Sequence, residues 1–186
     1  MEQEKASVRL RVLQKQMSSK NIDEHSLCGY YRELGKIANS SPQTAVNALE
    51  IFKVGLQSEK NSSNSLNYAY GVLEEVAEVN PHLIKQVFDV YKIGMQSESN
   101  YDDSLISAYR SISSIAEGHS RFAKDAKELI EFSKGLSNNT PTSLMCADAC
   151  ECRCEQSIKD YEERSKKAQQ SIGQFKILRV KKVEKE

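Results

Sequence analysis

The chain has 186 residues, 39% hydrophobic and 28% charged, with 26 basic against 26 acidic side chains and no tryptophan. That length carries one ordinary domain with a buried core, and a zero net charge excludes the global basic excess that phosphate binding uses. No apolar run approaches the ~20 residues that span a bilayer, and the opening Met1-Glu-Gln-Glu-Lys lacks the apolar stretch of a secretory signal. A cytoplasmic location is expected, with export by a route that reads no N-terminal signal as the alternative. The five cysteines are Cys28, Cys146, Cys150, Cys152 and Cys154. Their odd number and tight clustering point to reduced thiols and not to a secreted disulfide framework.

In chain order, residues 4–17 read as a helix with Val8, Val12, Leu13 and Met17 apolar, and 18–25 as a polar loop. Residues 1–25 are therefore expected to cap the first of a series of repeated units. From residue 26 the sequence repeats itself at an interval of 39. Ser26-Leu27, Ser65-Leu66 and Ser104-Leu105 recur, as do Tyr31, Tyr70 and Tyr109, and Ala38, Ala77 and Ala116. Leu34, Leu73 and Ile112 keep the interval, and so do Ile37, Val76 and Ile115. Pro42 and Pro81 come next in the first two copies, with Ser120 in the third. Val54-Gly-Leu-Gln-Ser-Glu59 matches Ile93-Gly-Met-Gln-Ser-Glu98, and Asn61 and Asn100 close those segments. The third copy reads Lys134-Gly-Leu-Ser137, which predicts a two-residue insertion near 121–126.

Inside each unit the apolar period is helical. Leu66, Ala69, Tyr70, Leu73, Val76 and Ala77 keep i, i+3, i+4, i+7 spacing. Ser65 is the expected N-cap. Asn80-Pro81 should end this helix and Pro81 should open the next, which carries Leu83, Ile84, Val87, Phe88, Val90, Tyr91 and Ile93. Each unit is thus two antiparallel helices joined by a short turn. One such hairpin cannot bury its own apolar face, so copies must stack. Three units are expected, over 26–64, 65–103 and 104–142.

These residues carry a resemblance to HEAT and armadillo-type repeats, whose lengths begin near ~40 residues. The closeness of the copies also resembles divergent arrays of host-associated bacteria. The resemblance implies an all-α fold: a right-handed α-solenoid of stacked antiparallel hairpins. It implies a non-enzymatic scaffold or adaptor that binds a partner protein or peptide. In such arrays the second helices line the concave surface. By position, Asn47, Glu50 and Lys53 of the first unit then match Gln86, Asp89 and Lys92 of the second, forming a partner-binding ridge two units long. The three-residue step from glutamate to lysine also allows an ion pair within one helix, which needs no partner.

At Ser143-Leu144 the interval falls due again, but Asp148 stands where a tyrosine is expected. Residues 143–174 read as a degenerate unit or a long capping helix with Ala147, Cys150, Cys154, Ile158, Tyr161, Ala168 and Ile172 as its apolar seam. Residues 175–186 read as a charged tail, frayed or forming a short strand or helix. The stretch from Lys176 to Glu186 holds five basic and two acidic residues.

Four features compete for function. On a helix Cys146, Cys150 and Cys154 share a face while Cys152 points away, whereas zinc wants four convergent ligands. Packing in a cap helix is the expected role. A structural metal on Cys146, Cys150, Cys152 and Cys154, acylation, and redox sensing are the alternatives. The tyrosines are expected to pack between units with hydroxyls at the rim. His25, His82 and His119 fall in loops or at helix starts, with no nucleophile arrangement, HExxH, phosphate loop or GxSxG elbow, so neither catalysis nor a cofactor is expected. The middle unit has two basic and seven acidic residues, net −5, between neighbours at +1 (four against three; five against four). That is a solvated face or a docking patch for a basic segment. It counts against a nucleic-acid-binding reading. A membrane adaptor held by acylated Cys146–Cys154 and the basic tail is a further alternative.

Overall fold

The computed structural model describes residues 2–19 and 21–183, with side chains over 4–19 and 21–170. Among these residues there are α-helices and short 3-10 turns and no strand. Eight α-helices occur in order: α1 Glu2–Met17, α2 Glu24–Ser40, α3 Pro42–Leu56, α4 Ser63–Val79, α5 Ile84–Met95, α6 Asp102–Gly118, α7 Ala123–Lys134 and α8 Pro141–Val183. None of them is both long and apolar enough to cross a membrane.

Capping sets the helix starts. Ser62 Oγ accepts the Ser65 N–H at 3.2 Å, and Ser65 Oγ accepts the Ser62 N–H at 2.9 Å. The reciprocal pair satisfies two of the N–H groups a helix start leaves orphaned. Ser65 is therefore the third helical residue and Ser62 the cap, which corrects the sequence expectation. The same serine register returns as Ser104 Oγ accepting the Tyr101 N–H at 3.1 Å and Ser143 Oγ accepting the Thr140 N–H at 2.9 Å. Asp23 caps α2 through the Ser26 N–H at 2.7 Å.

The hairpin turns obey proline chemistry. Pro42 takes the first position of α3, where its missing N–H costs nothing. Asn80 ends α4, and a 3-10 turn over Pro81–Leu83 leads into α5. His119 and a 3-10 turn over Ser120–Phe122 do the same for α6 and α7 without a proline. Because α5 starts at 84 and α7 at 123, and α4 at 63 and α6 at 102, the elements of the second and third units keep the 39-residue offset throughout. The predicted insertion near 121–126 is absent. Ser133, not Gly135, holds the register of Gly55 and Gly94.

The helices pack in two rows. α2, α4, α6 and α8 pack successively in one, and α1, α3, α5 and α7 in the other. One continuous apolar cluster joins them. α1 belongs to the second row: its buried Leu10, Leu13 and Met17 stand 39 residues before Leu49, Phe52 and Leu56.

A polar latch closes each unit. Tyr31, Tyr70 and Tyr109 are fully buried, and their hydroxyls donate to the Oδ1 of Asn61, Asn100 and Asn139 at 2.9, 3.1 and 2.8 Å. The asparagine Nδ2 groups donate in turn to Gly55 O at 2.8 Å, Gly94 O at 2.6 Å and Ser133 O at 2.6 Å. Each asparagine thus caps the carbonyls of a second helix and satisfies the phenol of the first. The tyrosine hydroxyls accordingly point inward and not to the rim as expected. The rings stack on the facing helix, Tyr31 on Phe52 at 5.6 Å and Tyr70 on Tyr91 at 5.4 Å.

α8 departs from the pattern. It is 43 residues long, roughly 64 Å at 1.5 Å per residue. Ala147, Cys150 and Cys154 are buried against the body, with Ile158 half-buried. Tyr161, 44% exposed, and the exposed Ala168 leave the expected seam without cover from the body. Ile172 lies outside the described side chains. The helix runs to Val183, through most of the segment expected as a tail. Asp148, in the tyrosine register, bonds Lys134 Nζ at 2.6 Å. Lys134 also reaches Glu151 at 2.9 Å, and Lys127 reaches Glu155 at 2.8 Å and Glu151 at 3.7 Å. Ion pairs thus tie α8 to α7.

Candidate partner-binding surface

The outward face of α3, α5 and α7 is the surface on which the predicted ridge falls. Asn47 and Glu50 on α3 and Gln86, Asp89 and Lys92 on α5 are exposed, and Lys53 is half-buried. Lys53 Nζ meets Glu50 at 2.6 Å, so this pair is satisfied within its own helix. Lys92 is drawn elsewhere: its ammonium sits 4.3 Å from the centre of the Phe132 ring on α7, a cation–π contact.

With no insertion in the third unit, the ridge continues onto α7. Asp125 succeeds Asn47 and Gln86, Glu128 succeeds Glu50 and Asp89, and Glu131 succeeds Lys53 and Lys92, each at an interval of 39. The two-unit ridge is therefore three units long. Its first two triplets each hold one acid and one base, and its third holds three acids. Pairing Gly135 with Gly94 hides these three residues; the helical register of Leu129 and Ile130 against Val90 and Tyr91 reveals them.

Between α5 and α7 the ridge opens into a groove. Lys85, Phe88, Asp89, Lys92, Asp125, Glu128, Leu129 and Phe132 line it. Phe88 and Leu129 form a nearly buried floor, and Phe132 is 38% exposed. Lys85 reaches Asp125 at 3.3 Å across the groove. Asp89 and Glu128 make no ion pair among the described residues. The groove thus offers aromatic surface beside two unpaired carboxylates.

The cysteines are disposed differently. Cys150 and Cys154 are buried, Cys146 is half-buried and Cys152 is exposed. Cys146 Sγ lies 4.0 Å from Cys150 Sγ. Burial pushes the Cys150 and Cys154 thiols up to about 12, so neither supplies thiolate near neutral pH. Among the described residues no group of three or more His, Cys, Asp and Glu side chains converges as a metal site. His25 lies in the first turn of α2, His82 in a 3-10 turn, and His119 caps the end of α6.

No family model, curated protein or solved structure matches this chain.

Proposed function

We propose that the chain is a short α-solenoid of HEAT-like units that acts as a non-enzymatic cytoplasmic scaffold. It takes its partner on the outward face of the second-helix row. The occupant is a basic peptide segment of a partner protein, carrying an apolar side chain flanked by Lys or Arg. The observation that supports this most is the α5–α7 groove. Exposed Phe132 and the floor of Phe88 and Leu129 suit one apolar anchor, and the unpaired Asp89 and Glu128 suit flanking cations. Such charge complementarity contributes register and association rate, while the buried anchor contributes most of the affinity. A nucleic-acid role would require a basic ridge, and the third triplet is acidic throughout.

Selection of random dodecapeptides on immobilised full-length protein tests the reading. Enrichment of sequences with Lys or Arg around a Leu, Ile or aromatic residue is expected. Binding of a selected peptide should fall at least about tenfold in Asp89→Lys/Glu128→Lys and weaken with added salt. No enrichment, or peptides whose binding ignores the double variant, would remove the groove from consideration.

A further inference from the structure

The face that α8 lays against α6 repeats a contact made twice before in the first row. Gly35 of α2 lies against the Val72 side chain of α4. One interval of 39 further on, Glu74 of α4 accepts from Ser111 Oγ of α6 at 2.6 Å. At the next interval the same positions are Ser113 and Cys150, where α6 packs on α8. Ser113 is fully buried, and its hydroxyl has no hydrogen-bond partner among the described residues. A buried donor without a partner destabilises the fold, so it points to an acceptor that the chain alone does not supply.

On α8, Cys150 Sγ lies 4.0 Å from Cys146 Sγ, one turn back on the same face. The two do not close as a disulfide on an intact helix. Cβ atoms four residues apart stand about 5–6 Å from each other, and a disulfide draws them to about 3.8 Å. A single ion bonded to both sulfurs fits instead. With metal–sulfur bonds of roughly 2.3 Å, sulfurs 4.0 Å apart subtend about 120° at the metal. That is the angle of a three-coordinate ion, whereas zinc in a structural site takes four ligands in a tetrahedron. Thiolates are soft ligands, and cuprous copper is the soft ion that accepts so few of them.

We propose that Cys146 and Cys150 bind one cuprous ion, with a small external thiol such as glutathione completing the coordination from the side of the half-buried Cys146. Two S–H bonds break, two S–Cu bonds form, both protons pass to water, and copper keeps its oxidation state. A coordinating thiol is deprotonated outright, so neither thiol need be ionised beforehand. Ser113 then donates to the Cys150 sulfur, which becomes a stronger acceptor once its proton has left. Such a bond to a metal ligand fixes its orientation and strengthens the site. Arg110, two intervals on from Arg32 as Cys146 is from Tyr68, falls beside Cys146 and offsets the added negative charge.

The experiment uses the full chain. Anaerobic titration with cuprous ion, in reduced glutathione and against the chelator bathocuproine disulfonate, should leave one equivalent of copper on the protein. Cys146→Ser should lose it, while Cys152→Ser, whose side chain is exposed and points away, should keep it. Circular dichroism should show both variants folded. Ser113→Ala should weaken retention about tenfold. Because it removes an unpartnered hydroxyl, it should not lower the melting temperature of the copper-free chain, which separates a bond to the metal-bound sulfur from a packing role. No copper retained, retention unchanged in Cys146→Ser, or equal loss in Cys152→Ser would overturn the proposal. Retention indifferent to Ser113→Ala would overturn the part given to Ser113. Preferential retention of zinc in a parallel titration would overturn the choice of ion.

Discussion

A single asparagine does two jobs in each unit, and the second and third copies do them in different surroundings. Asn100 is 3% exposed, whereas Asn139 is half-buried. Both accept from a tyrosine and donate to carbonyls at a helix end. Asn100→Ala would strand the Tyr70 hydroxyl and the Gly94 carbonyl away from water. Ionisation offers the phenol no escape, because burial holds it well above its usual range. A stranded buried group carries its full desolvation cost, so Asn100→Ala should lose about 2–3 kcal/mol. At Asn139 water can reach the vacated site, and the same change should lose about 1 kcal/mol. Urea denaturation of the two variants measures both. Equal losses would mean that the latches act only through packing. Gly94 belongs to the same device: a Cβ there would lie 3.0 Å from Tyr70 Cε1 and 3.1 Å from Leu56 Cδ1, so the close approach of ring and backbone needs the missing side chain.

At the scale of elements, α8 is joined to α7 by charge, whereas the tyrosine–asparagine latches join the two helices within each unit. The pairs Lys127–Glu155 and Lys134–Asp148 and the shared Glu151 are solvent-accessible, so no single one carries much stability. Their pH dependence has a definite sign. The Lys127 ammonium beside Glu155 holds that carboxyl below its usual range. The folded chain therefore binds fewer protons at that site than the unfolded one. Stability from it is present above the ordinary glutamate value and lost as pH falls through the depressed one. Lys127 and Lys134 are raised by these partners, so their share persists through neutral pH and fades only on the alkaline side. Thermal melts at pH 7 and pH 4 should show a smaller acid-induced drop in Lys127→Met/Lys134→Met than in the parent, and an unchanged drop would assign the acid sensitivity to other carboxylates, such as Glu33 beside Arg9. The sequence displays these elements unevenly. Helix ends at Asn80-Pro81 and before Pro42 are written locally, in proline chemistry, and can be read directly. Capping is local too, but Ser65 and Ser62 are both good caps, and only the reciprocal bond separates them. The salt bridges of Asp148, Glu151 and Glu155 join residues 14 to 28 positions apart, counting Lys134–Asp148 to Lys127–Glu155, and no single-sequence pattern announces such pairs. The ridge is half-visible for a related reason: a chance glycine at Gly135 outweighs the apolar register of α7.

For the whole molecule, the two rows share one apolar cluster, but α1 and α8 each meet that cluster from one side only. Val12 shows the consequence. Its counterparts Ile51, Val90 and Leu129 are 5%, 0% and 6% exposed, whereas Val12 is 39% exposed. In those three helices the position is covered, and in α1 it is open. Stability in such an arrangement is a sum of local terms and neighbour contacts, so damage at an end should stay at the end. Leu13 and Ile112 are both fully buried aliphatic residues, one in α1 and one in α6. Truncation of either removes a comparable side chain, about 2–5 kcal/mol in a core that cannot collapse onto the gap. Their spatial reach should differ. Hydrogen exchange in Leu13→Ala should quicken in α1 and in the parts of α2 and α3 that it touches, while α6 and α7 keep their protection. In Ile112→Ala it should quicken on both sides of α6, through α4, α7 and the first half of α8. Global loss of protection in Leu13→Ala would instead mean that all eight helices fold as one cooperative unit, with α1 as indispensable to the core as α6.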